Sequence, residues 1–166
     1  MSKSYKSGVC YAGCLDTLAV FPESGRWLVV LNRLGVADIK REGTDATIVA
    51  IGGMVPRALA AAEALAAEGI SAEVLDPRTL VPLDKAAILK SVAKTGRLVV
   101  VDMAHKTCSA ASEIAAIVSM EGFWDLQAPI QRLGTVNVHI PFSPALEPLC
   151  YPTDLTIAEA VRTTLA

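Results

Sequence analysis

The stretch Ala46-Thr-Ile-Val-Ala-Ile-Gly-Gly-Met-Val-Pro56 sets the pattern that the rest of the chain repeats. Its first six residues form a short apolar run, which is typical of a strand buried on both faces of a sheet. Two glycines close the strand, and Pro56 suits the first turn of a helix, where its missing N–H costs nothing. Residues 58–68 are rich in alanine and have helical spacing, and Gly69 supplies the left-handed backbone that ends a helix. The sequence therefore predicts a buried strand followed directly by a helix.

The same unit recurs along the chain. Strands are predicted to begin near residues 46, 72, 97 and 130, with a helix in each gap and a last helix over residues 154–165. Helices of this length do not fit into hairpins, so the connections are crossovers and the strands run parallel. The fold class expected is α/β: a three-layer α/β/α sandwich with a mostly parallel sheet and an antiparallel edge strand.

The edge strand is expected near residue 38. Residues 36–41 alternate loosely between apolar and polar, and residues 43–45 read Gly-Thr-Asp, which is typical of a turn. This pattern predicts a hairpin that leads from the edge strand into the buried strand at residue 46.

Particular side chains are expected to begin the later helices. Asp84 is predicted as the N-cap of the second helix, and Thr107 or Ser109 begins the third. In the last helix, Thr156 and Glu159 have the spacing of a capping box.

Composition limits the classes of protein to consider. The chain has 166 residues, of which 52% are hydrophobic and 19% are charged, and its formal net charge is -2. Such a chain is not intrinsically disordered, and it gives no electrostatic reason to expect nucleic acid or an anionic membrane as a partner. No apolar run approaches the ~20 residues of a membrane span. Residues 1–35 have no clear period and are interpreted as a linker or tail, followed by one domain over residues 36–166.

The cysteines and the N-terminus favour a cytoplasmic location. Cys10 and Cys14 lack the two-residue spacing of a zinc knuckle, and no paired histidine lies near them. With Cys108 and Cys150 they are interpreted as unpaired, reduced thiols. The apolar residues before Cys14 are too few for the core of a secretory signal.

The loop after the central strand carries the candidate for proton chemistry, because ligands of such sheets bind outside the carboxyl ends of the strands. Asp102-Met-Ala-His-Lys-Thr107 gathers an acid, an imidazole and an ammonium group. His105 is the catalytic candidate, since histidine titrates most easily near neutral pH. The alternative is a loop histidine that bonds to backbone or caps a neighbour. His139 has no acidic neighbour, which favours a structural role.

The first strand end is also a candidate nucleotide site. Gly52-Gly53 opens a helix after a strand, where a phosphate could bind, and Asp76 follows at a spacing suited to a ribose-binding acid. However, the three-glycine pattern is missing, and Pro56 removes one N–H donor. A tight turn and a loop acid are therefore the favoured interpretation of these residues. The residues alone describe an α/β domain without a self-sufficient active site.

Five segments carry a resemblance to a known family. Asp38-Ile-Lys-Arg-Glu-Gly-Thr-Asp45 and Val74-Leu-Asp-Pro-Arg-Thr-Leu-Val-Pro-Leu-Asp84 resemble the C-terminal domain of the transketolase group. The other three are similar to the beta subunit of 2-oxo acid dehydrogenases, the decarboxylating component of the pyruvate, branched-chain and acetoin dehydrogenase complexes. They are Ala104-His-Lys-Thr-Cys-Ser-Ala-Ala-Ser-Glu-Ile114, Ala128-Pro-Ile-Gln-Arg132 and Ile140-Pro-Phe-Ser-Pro-Ala-Leu-Glu147.

The resemblance implies a part in oxidative decarboxylation of a 2-oxo acid, with acyl transfer to lipoyl groups. In the intact enzymes thiamine diphosphate, held with magnesium, performs the chemistry. The domain itself is expected to bind neither, because the family's activating glutamate belongs to a preceding domain and its magnesium segment belongs to the alpha subunit. The implied role is assembly. The partners expected are a second copy of the chain, the thiamine-binding domain and alpha subunit of the intact enzyme, and the acyltransferase core subunit.

The chain departs from the family pattern in places. Asn137 and His139 stand where the family usually has Asp and Pro, and residues 1–33 match poorly. A second class of function therefore stays open, a stand-alone regulatory module that binds a small anion or nucleotide at the strand-end loops.

The proline-rich segment after the last strand is the expected contact for pairing. It carries Phe142, Leu146, Leu149 and Tyr151 with neither helical nor strand periodicity, so it cannot build a core of its own. An isologous homodimer that uses residues 134–152 is expected, since large exposed apolar patches mark interaction sites.

Overall fold

The computed structural model describes residues 34–166, which form one five-stranded sheet with helices on both faces. The linker or tail expected over residues 1–35 lies almost wholly outside the described residues, and so do Cys10 and Cys14. The strands are β1 (Asp38–Arg41), β2 (Ala46–Ala50), β3 (Ala72–Asp76), β4 (Leu98–His105) and β5 (Gln131–Thr135). The helices are α1 (Val55–Ala67), α2 (Lys85–Thr95), α3 (Ala110–Glu121) and α4 (Asp154–Leu165). Short 3-10 turns cover Gly52–Met54, Phe123–Asp125 and Glu147–Cys150.

The strand order β1-β3-β2-β4-β5 confirms the predicted fold class. β2 pairs in parallel with both β3 and β4, and β4 pairs in parallel with β5. β1 runs antiparallel at the edge, as expected. Every residue of β2 is buried, because this strand has a neighbour on each side and a helical layer on each face.

The predicted hairpin between β1 and β2 is wrong, because β1 pairs with β3. The connecting residues pass across the start of β3 instead of turning back. The backbone nitrogens of Thr44 and Asp45 both donate to the Ser71 carbonyl at 2.9 Å, and the Asp45 carboxylate accepts from the Ser71 N–H at 2.7 Å. A Cβ on Gly43 would lie 2.2 Å from the backbone nitrogen of Glu73. Glycine is required here because two backbones cross closely.

Two apolar cores cover the two faces of the sheet, each between the strands and a pair of helices. On one face, α1 and α4 pack over alternate residues of the central strands, including Ile48, Val74 and Val99. On the other face, α2 and α3 cover the intervening positions, including Val49 and Val100. This is the three-layer arrangement that the repeated strand–helix unit predicts. Among residues 34–166, no helix has both the length and the apolar character needed to cross a bilayer.

The helix ends confirm most of the predicted signals. Asp84 caps α2 by accepting from the Ala87 N–H at 3.0 Å, and Gly69 has a φ of 83° just after α1. Ser109, not Thr107, is the N-cap of α3. The capping box of α4 joins Thr153 to Thr156, so the predicted pairing with Glu159 is wrong. The observed box begins at the N-cap residue Thr153, three residues before the predicted first member Thr156.

Candidate functional site

The carboxyl ends of β4 and β5 place His105 at the surface. His105 is the last residue of β4, and its side chain is exposed. Its Nε2 lies 3.0 Å from the Val138 carbonyl oxygen, on the segment that follows β5. A carbonyl oxygen only accepts hydrogen bonds, so Nε2 carries the proton of this bond. The imidazole is therefore held by backbone, as the structural alternative expects, while its Nδ1 stays unbonded within the described part of the chain.

The acid, imidazole and ammonium of this loop do not form a triad. Asp102 is buried, and its Oδ1 accepts from the Ala104 N–H at 3.1 Å. Neither Asp102 nor Lys106 forms a side-chain hydrogen bond with His105, and the Lys106 side chain is exposed. His105 thus reaches the surface without a carboxylate to orient it.

The peptide after His105 is anchored at both ends. The Lys106 N–H donates to the Thr135 carbonyl at 3.1 Å. The Lys106 carbonyl accepts from Arg132 Nη1 at 3.2 Å and from Ser112 Oγ at 3.3 Å. Arg132 Nη1 also donates to Ser112 Oγ at 2.6 Å. A strand and a helix that are distant in sequence therefore fix the backbone next to the imidazole.

The segment after β5 completes this region. The Asn137 side-chain amide donates to Thr107 Oγ1 at 2.7 Å, next to the Val138 carbonyl that holds His105. His139 is exposed and makes no bond to another described residue. The two positions that depart from the family pattern thus differ in role, because Asn137 ties the segment to the loop after β4 and His139 does not.

The residues considered as a nucleotide site, Gly52, Gly53 and Asp76, have structural roles. Gly52 has a φ of 55°, and a Cβ on Gly53 would lie 2.8 Å from Met103 Sδ. Asp76 Oδ1 accepts from the Arg78 N–H at 2.8 Å. A tight, covered turn and a loop acid account for these residues.

Charged side chains tie β1 to the end of β3. Asp38 is paired with Lys40 at 2.6 Å and with Arg78 at 2.7 Å. The hydrogen bonds from Lys40 and then Arg78 hold the pKa of the Asp38 carboxyl below its usual value. The edge strand is thus attached partly by ionised groups.

A buried carboxylate was not anticipated from the sequence. Glu73 is fully buried in β3 and pairs with Lys94 of α2, which also binds Glu42 at 2.9 Å. Burial acts to lower the pKa of Lys94, but its bonds to Glu73 and Glu42 prevail and raise it. Glu73 Oε1 has no partner. Only its place next to the apolar residues Ala72, Val74 and Leu75 of β3 could have marked Glu73 as special.

Most of the apolar side chains in the proline-rich segment over residues 134–152 are exposed. The exposed fraction is 103% for Phe142, 52% for Leu146 and 77% for Leu149. Tyr151 is half-buried, and its hydroxyl donates to Glu147 Oε1 at 2.9 Å. Three of the four predicted interface residues thus present apolar surface to solvent.

An apolar groove lies at the opposite end of β5 and was not predicted. It encloses about 920 Å³ and is called the Trp124 groove below. Trp124 is 93% exposed at its edge, with its ring 5.2 Å from that of Phe123 in an edge-to-face contact. The groove is lined by Ala115, Ser119, Phe123, Trp124, Leu126, Gln127, Ala128, Pro129, Ile130 and Arg132. Two adjacent aromatic residues after Gly122, outside any helical period, were the available signal.

Residues 34–166 contain neither a cluster of metal ligands nor a disulfide bond. No three His, Cys, Asp or Glu side chains in this range lie together as metal ligands. Cys108 is exposed and Cys150 is buried, and both thiols are free.

Comparison with known proteins assigns the fold to a family. The family described as "Transketolase, C-terminal domain" matches residues 35–157. The beta subunit of acetoin:2,6-dichlorophenolindophenol oxidoreductase from Bacillus subtilis (strain 168) is 52% identical over 120 residues, 72% of this chain and 35% of that protein. The pyruvate dehydrogenase E1 component subunit beta of Leifsonia xyli subsp. xyli is 50% identical over 134 residues, 80% of this chain and 39% of that protein.

A solved structure agrees. A split-gene transketolase, described as an inactive beta4 tetramer, superposes with a TM-score of 0.71 at 32% identity, covering 82% of this chain and 43% of that one. The chain spans 35% to 39% of the length of the two curated relatives. The family match covers most of the described residues, and the sheet order and helical layers agree with it. This chain therefore belongs to the transketolase C-terminal domain family.

Proposed function

We propose that this chain is the C-terminal assembly domain of the beta subunit of a 2-oxo acid dehydrogenase, an oxidoreductase that uses thiamine diphosphate. The observation that carries this proposal is the 52% identity to an acetoin oxidoreductase beta subunit, together with 50% identity to a pyruvate dehydrogenase beta subunit. The domain contributes contacts, while oxidative decarboxylation and acyl transfer to lipoyl groups belong to the intact enzyme.

The cofactor is assigned to the rest of the enzyme. In this proposal the thiamine-binding domain and the alpha subunit hold thiamine diphosphate and magnesium, and this chain supplies neither the activating glutamate nor the diphosphate segment. Calorimetric titration of the purified chain with thiamine diphosphate and magnesium should give no saturable heat. Micromolar binding would contradict the assignment.

The two exposed apolar surfaces divide the contacts between two partners. The segment over residues 134–152 forms the homodimer contact, through Phe142, Leu146, Leu149 and Tyr151. The Trp124 groove serves the acyltransferase core subunit. The support for this division comes from the two ends of β5. The segment follows the carboxyl end of β5, and the groove borders its amino end. A strand of five residues separates its two ends by about 16 Å. Pairing through the segment would leave the groove accessible.

His105 is proposed to lie at the active-site mouth of the intact enzyme. Support comes from its exposed position at the carboxyl end of β4, where ligands of such sheets bind. A cytoplasmic location is also proposed, which agrees with the two free thiols among the described residues.

A chimeric subunit tests the proposed function. The 120 aligned residues of the Bacillus subtilis acetoin oxidoreductase beta subunit are replaced by those of this chain, and the chimera is produced with its alpha subunit. Reduction of 2,6-dichlorophenolindophenol by acetoin should be retained. A chimera that folds and binds the alpha subunit but has no activity would contradict the proposal.

The same chimera tests the role of His105. His105→Ala should lower turnover about tenfold or more, because a group that transfers a proton contributes at least that much. His139→Ala is the matched control and should leave turnover unchanged. Equal turnover in both variants would return His105 to a structural role.

A further inference from the structure

The hydrogen bond to Val138 determines which nitrogen His105 can offer to a ligand. Nε2 faces a carbonyl oxygen at 3.0 Å, and an oxygen of this kind can only accept. In the neutral imidazole one nitrogen carries the proton and the other carries a lone pair. Nε2 therefore keeps the proton, and the lone pair is on Nδ1, which forms no hydrogen bond with a described residue.

The orientation of the imidazole depends on the backbone on either side of it. The Lys106 peptide follows His105 directly, and its carbonyl is held by Arg132 at 3.2 Å and by Ser112 at 3.3 Å. On the other side of the bond, the amide of Asn137 holds Thr107 at 2.7 Å and so keeps the Val138 segment against the loop after β4.

Among these anchors, Arg132 is the one that joins two elements to the loop. It lies in β5, and one guanidinium nitrogen reaches both the Lys106 carbonyl and Ser112 Oγ of α3. A Cβ on the neighbouring Gly134 would lie 2.9 Å from the Ala104 carbonyl, so β5 approaches the end of β4 closely enough for this reach. A lysine would carry the charge on a more flexible stem, which holds a single donor position less firmly.

We propose that neutral His105 presents Nδ1 as a hydrogen-bond acceptor for a ligand hydroxyl or N–H group, and that Arg132 is the positioning residue that holds it in this state. The use of Nδ1 in a reaction rests on the proposed function. The tautomer of the neutral ring and its dependence on Arg132 are properties of this chain alone. The class of ligand group follows from the chemistry, because a lone pair accepts from a donor and does not bind an anion.

The sequence makes the test unusually direct, because it contains two histidines. His139→Gln leaves His105 as the sole imidazole in the full chain. Long-range proton–nitrogen NMR spectra, recorded above the ordinary histidine pKa of about 6.5, then report which ring nitrogen carries the proton. The same chain unfolded in urea gives the reference ratio of the two neutral forms.

The folded chain should favour the Nε2-protonated form about tenfold more than the unfolded chain, as expected for one hydrogen bond worth ~1.4 kcal/mol. Arg132→Gln should return most of this preference to the unfolded value, and Arg132→Lys should give an intermediate ratio. Arg41→Gln removes the same charge from the far edge of the sheet and should leave the ratio unchanged.

Two outcomes would overturn the proposal. One is a folded chain in which Nδ1 carries the proton or the ratio matches the unfolded chain. The other is an Arg132→Gln chain with unchanged amide spectra and an unchanged ratio. If Arg132→Gln does not fold, Arg132→Lys decides the matter by the same ratio. Loss of activity in the chimera would test the proposed function separately, because this ratio does not depend on turnover.

Discussion

At the scale of single residues, the stability of the domain should depend on Lys94, because this residue neutralises the buried carboxylate of Glu73. Glu73 is fully buried and Lys94 is its partner, so removing the ammonium leaves a carboxylate in the core. We expect Lys94→Met to lower the free energy of unfolding by about 2 to 4 kcal/mol, toward the lower part of the range for buried pairs because Lys94 is partly exposed. Lys90→Met, on the exposed side of the same helix, is the control for urea denaturation. Equal stability of the two variants would mean that Glu73 is neutral or solvated.

Asp38 should contribute to the acid limb of stability. Its folded-state pKa is lowered by Lys40 and then by Arg78. The Asp38 carboxyl therefore binds a proton less readily in the folded state than in the unfolded chain. Its contribution to the free energy of unfolding is fully present above the ordinary pKa of 3.8 and is lost as pH falls through the lower pKa of the folded state. Asp38→Asn should flatten the fall in melting temperature below pH 4, while Asp125→Asn, at an exposed turn, should not. Parallel acid profiles for Asp38→Asn and the unaltered chain would contradict this reading.

At the scale of elements, the two N-caps of α2 and α3 offer a matched comparison. Asp84 accepts from the Ala87 N–H at 3.0 Å and, with its other oxygen, from the Ala37 N–H at 2.9 Å. Ser109 makes no capping bond. Asp84→Ala should cost about 2 kcal/mol, the sum of a cap and a second hydrogen bond, whereas Ser109→Ala should cost about 0.5 kcal/mol or less. Similar losses in chemical denaturation would show that the cap geometry does not determine helix stability here.

The parallel strands and their helices could be predicted because their signals are local. Apolar runs such as 46–51 and helix-ending residues such as Gly69 act over a few positions. The partner of β1 could not be predicted, because it depends on Gly43 crossing the backbone at the start of β3, about thirty residues later. The same holds for His105, whose bond to Val138 and whose neighbours Arg132 and Ser112 come from other elements. The sequence marks His105 as a candidate, but the groups that hold it lie on other elements and are not visible in the local pattern.

At the scale of the whole molecule, the described chain is a complete sandwich with two exposed apolar surfaces and no buried catalytic cluster. The Trp124 groove was missed because exposed aromatic residues have no periodicity to detect. The exposure of the segment over residues 134–152 could be predicted because prolines and apolar side chains without a period cannot form a core. Both surfaces fit the association role that is proposed for this domain.

Light scattering coupled to size exclusion tests this central claim most directly. The full chain has a mass of 17.4 kDa, and the peak should correspond to twice that mass over a wide range of concentrations. Phe142→Asp should shift the peak to the monomer, because it places a charge in the proposed contact. Met120→Asp, at a residue that is also highly exposed but lies on α3, should remain dimeric. A monomeric unaltered chain at every concentration would contradict the account, and so would a dimer that Phe142→Asp leaves intact.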